Sequence, residues 1–355
     1  MQLRLDQLSA HLQKVGPHGL KPIYTLYGDE ALLAQEAADA IRALARQGGY
    51  TERQVFTVSG ANHDWASLLG AGSAMSLFGD KQLIEIRIPT GKPGKEGSVA
   101  LQSYCEQMAG NDGVLTIVSL PRLDKTQQSS AWFTALDQVG MTLRCDPIER
   151  GALPLWIAQR LAAQGQQVEP GEAGQKALAY FADKVEGNLL AAHQEVLKLG
   201  LLHPPGTLTQ DQIDEAVVDV ARFDVFKLSE AVLSGNAARA LRMVEGLEAE
   251  GEAAVLVHWA LSEDILGLHR ARQAMDDGKP LPMALRELRV WGPRERLFER
   301  ALPQLKVAAT ARLVHAASIV DGIAKGLPNP AWPTDAWQAL ARLTLMLCKA
   351  VSRPA

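Results

Sequence analysis

Apolar positions recur along this chain in two rhythms, and the change from one to the other falls near residue 147. Leu5, Leu8, Leu12 and Val15 lie at helical spacing, so a short helix opens the chain. Residues 22–27 read as a strand stopped by Gly28-Asp29. Asp29 is placed to cap the next helix, whose apolar face is Leu32, Leu33, Ala37, Ala40, Ile41 and Leu44 and which Gly48-Gly49 ends. Strand and helix then alternate. Strands are predicted at 54–58, 82–88, 114–118 and 141–145, and helices at 64–74, 98–108 and 126–139. The stretch 89–97, rich in Gly, Pro and Lys, reads as a loop. Such alternation predicts a mostly parallel sheet covered by helices on both faces. After Asp146-Pro147 the strands stop, and 153–163, 174–182, 188–201 and 209–220 read as helices, the last opened by a Thr209/Gln212 capping box. Beyond Ala221 all is helical to the end, broken by proline-rich corners at 279–282 and 327–330.

One stretch departs from this pattern. Ala74-Met75-Ser76-Leu77-Phe78-Gly79-Asp80 sits at a helix-to-strand corner, where polar turn residues are the rule. Met75, Leu77 and Phe78 there need either a core or a partner to enter. One reading is a plug under the sheet edge. The other is a protruding anchor that fills an apolar pocket on another protein, since an aromatic beside an aliphatic at a short tip is a common hot-spot design.

Those residues resemble the clamp-binding tip of the delta subunit of the bacterial DNA polymerase III clamp loader. Further segments similar to that family follow in the same order: Leu32-Leu33-Ala34-Gln35-Glu36, Ala131-Trp132-Phe133-Thr134-Ala135-Leu136, Glu186-Gly187-Asn188-Leu189-Leu190-Ala191, Arg289-Val290-Trp291 and Leu345-Met346-Leu347-Cys348. The resemblance implies an AAA+-like α/β domain over 1–146 carrying Met75, Ser76, Leu77 and Phe78 as clamp-binding residues. A small helical lid-like domain over 147–220 and a helical collar over 221–355 would follow. It implies binding and opening of the sliding clamp (beta) for loading onto primed DNA, with the ATPase subunits (gamma/tau) and delta prime as further partners. No cofactor and no catalysis by this chain itself are implied, although the parent assembly is a DNA-directed DNA polymerase, a nucleotidyltransferase. Two other readings stay open: a degenerate AAA+-like NTPase, and a helical scaffold with an inert α/β domain.

Composition narrows the picture. With 355 residues, 47% hydrophobic and 21% charged, the chain is globular and long enough for two or three domains. Its net charge of −4 argues that any nucleic-acid contact is local or shared with partners. Cys105, Cys145 and Cys348 are few and scattered, without CxxC or a metal-ligand spacing, which suits a reducing compartment. The start, Met1 to Asp6, lacks a signal-peptide core, and no apolar run approaches the length of a membrane span, so a cytoplasmic location is expected.

Candidate chemistry is mostly of the binding kind. A P-loop needs GxxxxGK[ST] after the first strand. Here Gly28-Asp29-Glu30-Ala31-Leu32-Leu33 follows, with no Lys-Ser or Lys-Thr, and Asp29 and Glu30 would repel phosphate. ATP is therefore expected neither to bind nor to be hydrolysed. Gly187-Asn188 reads as a helix stop and restart, with Leu189 and Leu190 where related AAA+ subunits carry a basic residue. Leu143-Arg144-Cys145 only approximates an arginine-finger motif, and no GxSxG or HExxH occurs. In the last third, Arg286, Arg289, Arg294, Arg296, Arg300 and Arg312 are interleaved with Trp291 and Phe298 and diluted by Glu287, Glu295 and Glu299. Arginine beside an exposed aromatic suits phosphate contact with base stacking, and a solvated amphipathic face gives the same pattern. By resemblance, Trp291 and Trp332 match collar aromatics that lie near DNA, with Arg289 and Arg294 as candidate phosphate contacts. Trp332, between Pro330 and Pro333, equally suits core packing in a corner.

Overall fold

The structure, a computed structural model, describes residues 1–58, 60, 63–73, 81–218 and 220–352. Two compact units emerge: Met1–Gln166 with Leu189–Pro205, and Gln167–Asn188 with Gly206–Ala355.

The first unit is built on a six-stranded sheet. Its elements are β1 (Gln2–Leu3), α1 (Leu8–Val15), β2 (Ile23–Tyr27), α2 (Ala31–Gln47), β3 (Tyr50–Thr57), α3 (Trp65–Ser73), β4 (Lys81–Arg87), α4 (Gly94–Met108), β5 (Val114–Leu120), α5 (Lys125–Gln128), α6 (Ala131–Val139), β6 (Met141–Arg144) and α7 (Leu153–Ala163). Strand order is β1-β6-β2-β5-β4-β3, and every ladder is parallel. Alternate residues of each strand serve opposite faces. Ile23 and Tyr27, Ile84 and Ile86, and Val114 and Val118 join Leu68, Leu101, Tyr104 and Leu136 in one core. Tyr24 and Leu26, Leu115 and Ile117, and Leu143 join Leu12, Ala37 and Ile41 in the other. In both cores each fully buried aliphatic side chain contributes about 1.5–3 kcal/mol. The helix-covered parallel sheet is the one that the alternation predicts.

Local details correct the sequence reading. Glu30, not Asp29, caps α2: its Oε1 accepts the Leu32 N–H at 3.3 Å, while Asp29 accepts the Arg122 N–H at 3.2 Å. The expected loop 89–97 is shorter, because α4 starts at Gly94. Position 97 is glycine within that helix for a steric reason: a Cβ would come within 2.3 Å of the Trp65 ring. The helix expected over 126–139 is interrupted at Ser129-Ser130, which separate α5 from α6.

The intervening segment adds β7 (Gln166–Val168), α8 (Glu172–Val185), α9 (Leu189–Leu202), β8 (Gly206–Leu208) and α10 (Gln210–Ala216). Strands do not stop at 147 as expected, since β7 and β8 form a small two-stranded sheet. Helices α7 and α9 belong to the first unit, α8 and α10 to the second. The Thr209/Gln212 capping box is present on α10.

The rest of the second unit is all-α: α11 (Val225–Leu233), α12 (Ala237–Ala249), α13 (Ala254–Asp276), α14 (Leu281–Glu287), α15 (Pro293–Ala301), α16 (Val307–Ala324) and α17 (Ala336–Val351). Leu228, Leu247, Leu261, Leu268, Phe298, Val320 and Leu343 share one core. Contrary to the expectation from sequence, α16 is long and apolar enough to cross a membrane by length and composition. Its alanine-rich sequence produces that result, and Leu313, Ala316, Ala317, Val320 and Ile323 turn inward to the helical core.

Candidate functional site

Met75, Ser76, Leu77 and Phe78 fall in 74–80, outside the described residues. The elements on either side are described, and both are firmly seated. Preceding them, α3 buries Trp65 and Leu68 in the first core, and Gly72 lies close under the Tyr104 ring, 2.8 Å from where a Cβ would stand. Following them, β4 runs between β3 and β5 with Leu83, Ile84 and Ile86 buried.

The turn after β2, where a P-loop would hold phosphate, is filled by the chain itself. Gly28 has a φ of 147°, and a Cβ there would lie 2.0 Å from the Cys145 carbonyl oxygen. Cys145 N–H donates to Tyr27 O at 2.7 Å, and Glu30 N–H donates to Cys145 O at 3.0 Å. The half-buried Glu30 carboxyl is pushed up from its usual range by burial, against the Leu32 N–H that it accepts. A phosphate at this helix start would meet two carboxylates instead of a lysine. Gly187 is the helix stop expected of it: φ is 76°, and a Cβ would lie 1.9 Å from Arg222 O.

In the second unit, the segment Arg289-Val290-Trp291 is a helix-ending device. Arg289 N–H donates to Arg286 O at 3.1 Å and Val290 N–H to Leu285 O at 3.0 Å, the paired bonds of a Schellman cap on α14. Arg289 takes φ 55° to make it, alone among the described non-glycine residues, and its side chain is exposed. Left-handed backbone costs an L-residue roughly 1–2 kcal/mol. Val290 is buried beside Leu285, which fixes the corner. Trp291 follows immediately and is 57% exposed.

Trp291 lines a cleft of about 420 Å³ together with Phe226, Trp259, Asp264, Arg294 and Leu297. Phe226 and Trp259 are exposed and meet edge to face, with centroids 6.2 Å apart. Sequence reasoning missed both. The signal was there in α13, where Val255, Leu256, Val257, Trp259, Ala260 and Leu261 are too many apolar residues for one face. Arg294 is not a free cation: its Nη2 lies 2.6 Å from Oδ1 of the buried Asp264. Burial pushes the Asp264 carboxyl up, outweighing the Arg294 charge.

Phe298 is corrected outright. It is fully buried under the Arg294 guanidinium and offers no stacking surface. Trp332 is half-buried against the helical core. Its ring is covered by Arg342, 4.2 Å from the centroid, which also donates to Ala331 O. Its availability is therefore lower than that of Trp291. Among the described residues no cluster of His, Cys, Asp and Glu is arranged to hold a metal ion. Cys105 and Cys145 are buried, with thiols pushed up to about 12 by burial.

The model describing "DNA polymerase III, delta subunit" matches residues 24–146. The chain is 31% identical to DNA polymerase III subunit delta of Escherichia coli over 98% of its own length and 96% of that protein's. It is 26% identical to DNA polymerase III subunit delta of Haemophilus influenzae, covering 97% and 98% of the two chains. Among solved structures, the Bacillus subtilis DNA clamp loader delta protein aligns over 97% of this chain and 99% of that one, with 17% identity and a TM-score of 0.49. The chain therefore belongs to the family of DNA polymerase III delta subunits. The resemblance seen in the sequence is borne out, and the chain takes its place among components of the replicative polymerase assembly. The parallel α/β first part and the all-α last part are the fold class that this resemblance implies.

Proposed function

We propose that this chain binds the sliding clamp through Met75, Ser76, Leu77 and Phe78 and helps open it for loading onto primed DNA. Membership of the delta subunit family over nearly the whole chain is the observation that carries this reading. The seating of α3 and β4 supports it, because two anchored elements hold an intervening tip at low entropic cost. The work comes from binding energy: a clamp with a sprung interface is bound better than the closed ring, so its population rises. The chain itself carries no catalysis and takes no nucleotide; ATP acts on gamma/tau subunits assembled with this chain and delta prime, in the cytoplasm. The functional parts are an AAA+-like domain over 1–146, a lid-like domain over 147–220 and a collar over 221–355. In the collar, Trp291 stacks on an unpaired base near the primer junction. Arg289 contacts phosphate, Arg294 adds a weaker contact because Asp264 shares its charge, and Trp332 makes the smaller aromatic contribution.

The test is clamp capture by the full chain. Leu77→Ala and Phe78→Ala should each cost about 2 kcal/mol or more in clamp affinity, with unfolding midpoints unchanged. A double variant that unfolds early, yet holds the clamp normally when folded, refutes the anchor. For the collar, Trp291→Ala in the assembled loader should weaken primed-DNA affinity by roughly 1–3 kcal/mol.

A further inference from the structure

A second cleft in the helical unit, of about 500 Å³, opens between the start of α16 and the last turns of α17. Its apolar part is made by Leu305 and Leu313, both buried, and by the half-buried Met346. Lys306, Arg312 and Lys349 stand around it, all exposed. No acidic side chain lines it. Among the described residues none of these three cations has a carboxylate partner, whereas Lys279, Arg272 and Lys325 in the same unit are each paired. The first turn of α16 adds to the imbalance, carrying neither a side-chain cap nor an acid to offset the positive end of the helix. On a chain of net charge −4, this is a local reversal of sign built around an apolar floor.

We propose that this cleft docks an acidic peptide segment of a partner protein, one that sets an apolar side chain among carboxylates. The cations complement the acids, and Leu305, Leu313 and Met346 take the apolar side chain. Nucleic acid fits the cleft less well. Strand recognition needs aromatic platforms along a continuous basic track, and no aromatic residue lines this site. The site is separate from the Trp291 cleft and does not depend on the clamp-loading reading.

Fluorescence anisotropy with the full-length chain tests it. The probe is a labelled peptide of alternating aspartate and leucine, compared with asparagine–leucine and aspartate–serine versions and a thymidine single strand as competitor. Saturable binding of the aspartate–leucine peptide is expected. Combining Arg312→Ser with Lys349→Ser should weaken it about tenfold, and so should raised salt. Lys306→Ser provides an independent variant, and all three positions are exposed, so thermal midpoints should hold. The asparagine–leucine and aspartate–serine peptides should both bind at least about tenfold more weakly, because the site needs charge and apolar contact together. Absence of saturable binding, indifference to the substitutions, equal binding of the aspartate–serine peptide, or displacement by the thymidine strand overturns the proposal.

Discussion

Both units bury carboxylates inside ion pairs, and Glu85 in the first and Asp264 in the second are tuned in opposite directions. Glu85 on β4 is buried and receives three guanidinium groups: Arg42 at 2.7 Å, Arg53 at 2.8 Å and Arg87 at 3.2 Å. Burial pushes its carboxyl up, but the hydrogen bonds from Arg53 and Arg42, with help from Arg87, outweigh it and hold the group at about 2. Asp264 on α13 is buried more deeply and has one guanidinium, Arg294. There burial wins and the carboxyl is raised. The charge state is set by the balance between the depth of burial and the number of charged donors brought to the carboxyl. The parallel sheet supplies those donors cheaply, since adjacent β3 and β4 place Arg53 and Arg87 beside Glu85 while α2 lays Arg42 over it.

The largest test of this contrast is Glu85→Gln. It strands three cations around a neutral amide, and should lower urea-unfolding stability by about 3 kcal/mol at pH 7. The pH dependence follows with a definite sign. A folded-state carboxyl held at about 2, against 4.5 when free, gives stability that is complete above about pH 4.5 and lost as the pH falls towards 2. Glu85→Gln should flatten that acid limb. A variant retaining the full limb would place the acid sensitivity elsewhere. Asp264 acts with the opposite sign: its raised carboxyl favours the folded state as the pH falls through the folded-state pKa.

Next in size is Arg294→Ala. Removing the one guanidinium from buried Asp264 should cost about 2 kcal/mol at pH 7, less than a fully buried pair because the carboxyl can take up a proton. The loss should shrink on acidification, and a pH-independent loss would assign the effect to packing on Phe298 instead. The smallest effect belongs to Arg53→Ala. Arg53 is half-exposed and one of three, so its loss should cost less than about 1 kcal/mol. If it cost as much as Glu85→Gln, the donors around Glu85 would not be shared.

Much of this was legible beforehand, for identifiable reasons. β2, β4, β5 and β6 announce themselves because each is a run of apolar or β-branched residues ended by turn residues. β1, β7 and β8 carry two or three residues apiece, too few for any periodic signal. Gly94 to Gly97 misled because glycine normally marks a loop, whereas Gly97 is demanded by the Trp65 ring. In α15 the sequence Pro-Arg-Glu-Arg-Leu-Phe-Glu-Arg holds so few apolar residues that Phe298 is needed inside, which is why it cannot alternate with arginine on the surface. Trp291 was marked by its neighbours in sequence, but Phe226 and Trp259 reach it only through the packing of α11 and α13.

The position of β6 also decides when the six-stranded sheet can close during synthesis. The sheet order sets this late strand between β1 and β2, and its exit residue Cys145 closes the turn at Gly28. Among the described residues β1 pairs with β6 alone, so Gln2 and Leu3 have no ladder partner until Thr142 and Leu143 emerge. Until then one edge of β2 stands open, and an open edge is a template for wrong pairings. A nascent chain halted before residue 141 can assemble β2 to β5 but cannot finish their sheet. The sheet itself is thus completed by the late insertion of a four-residue strand, the kind of long-range closure that slows folding.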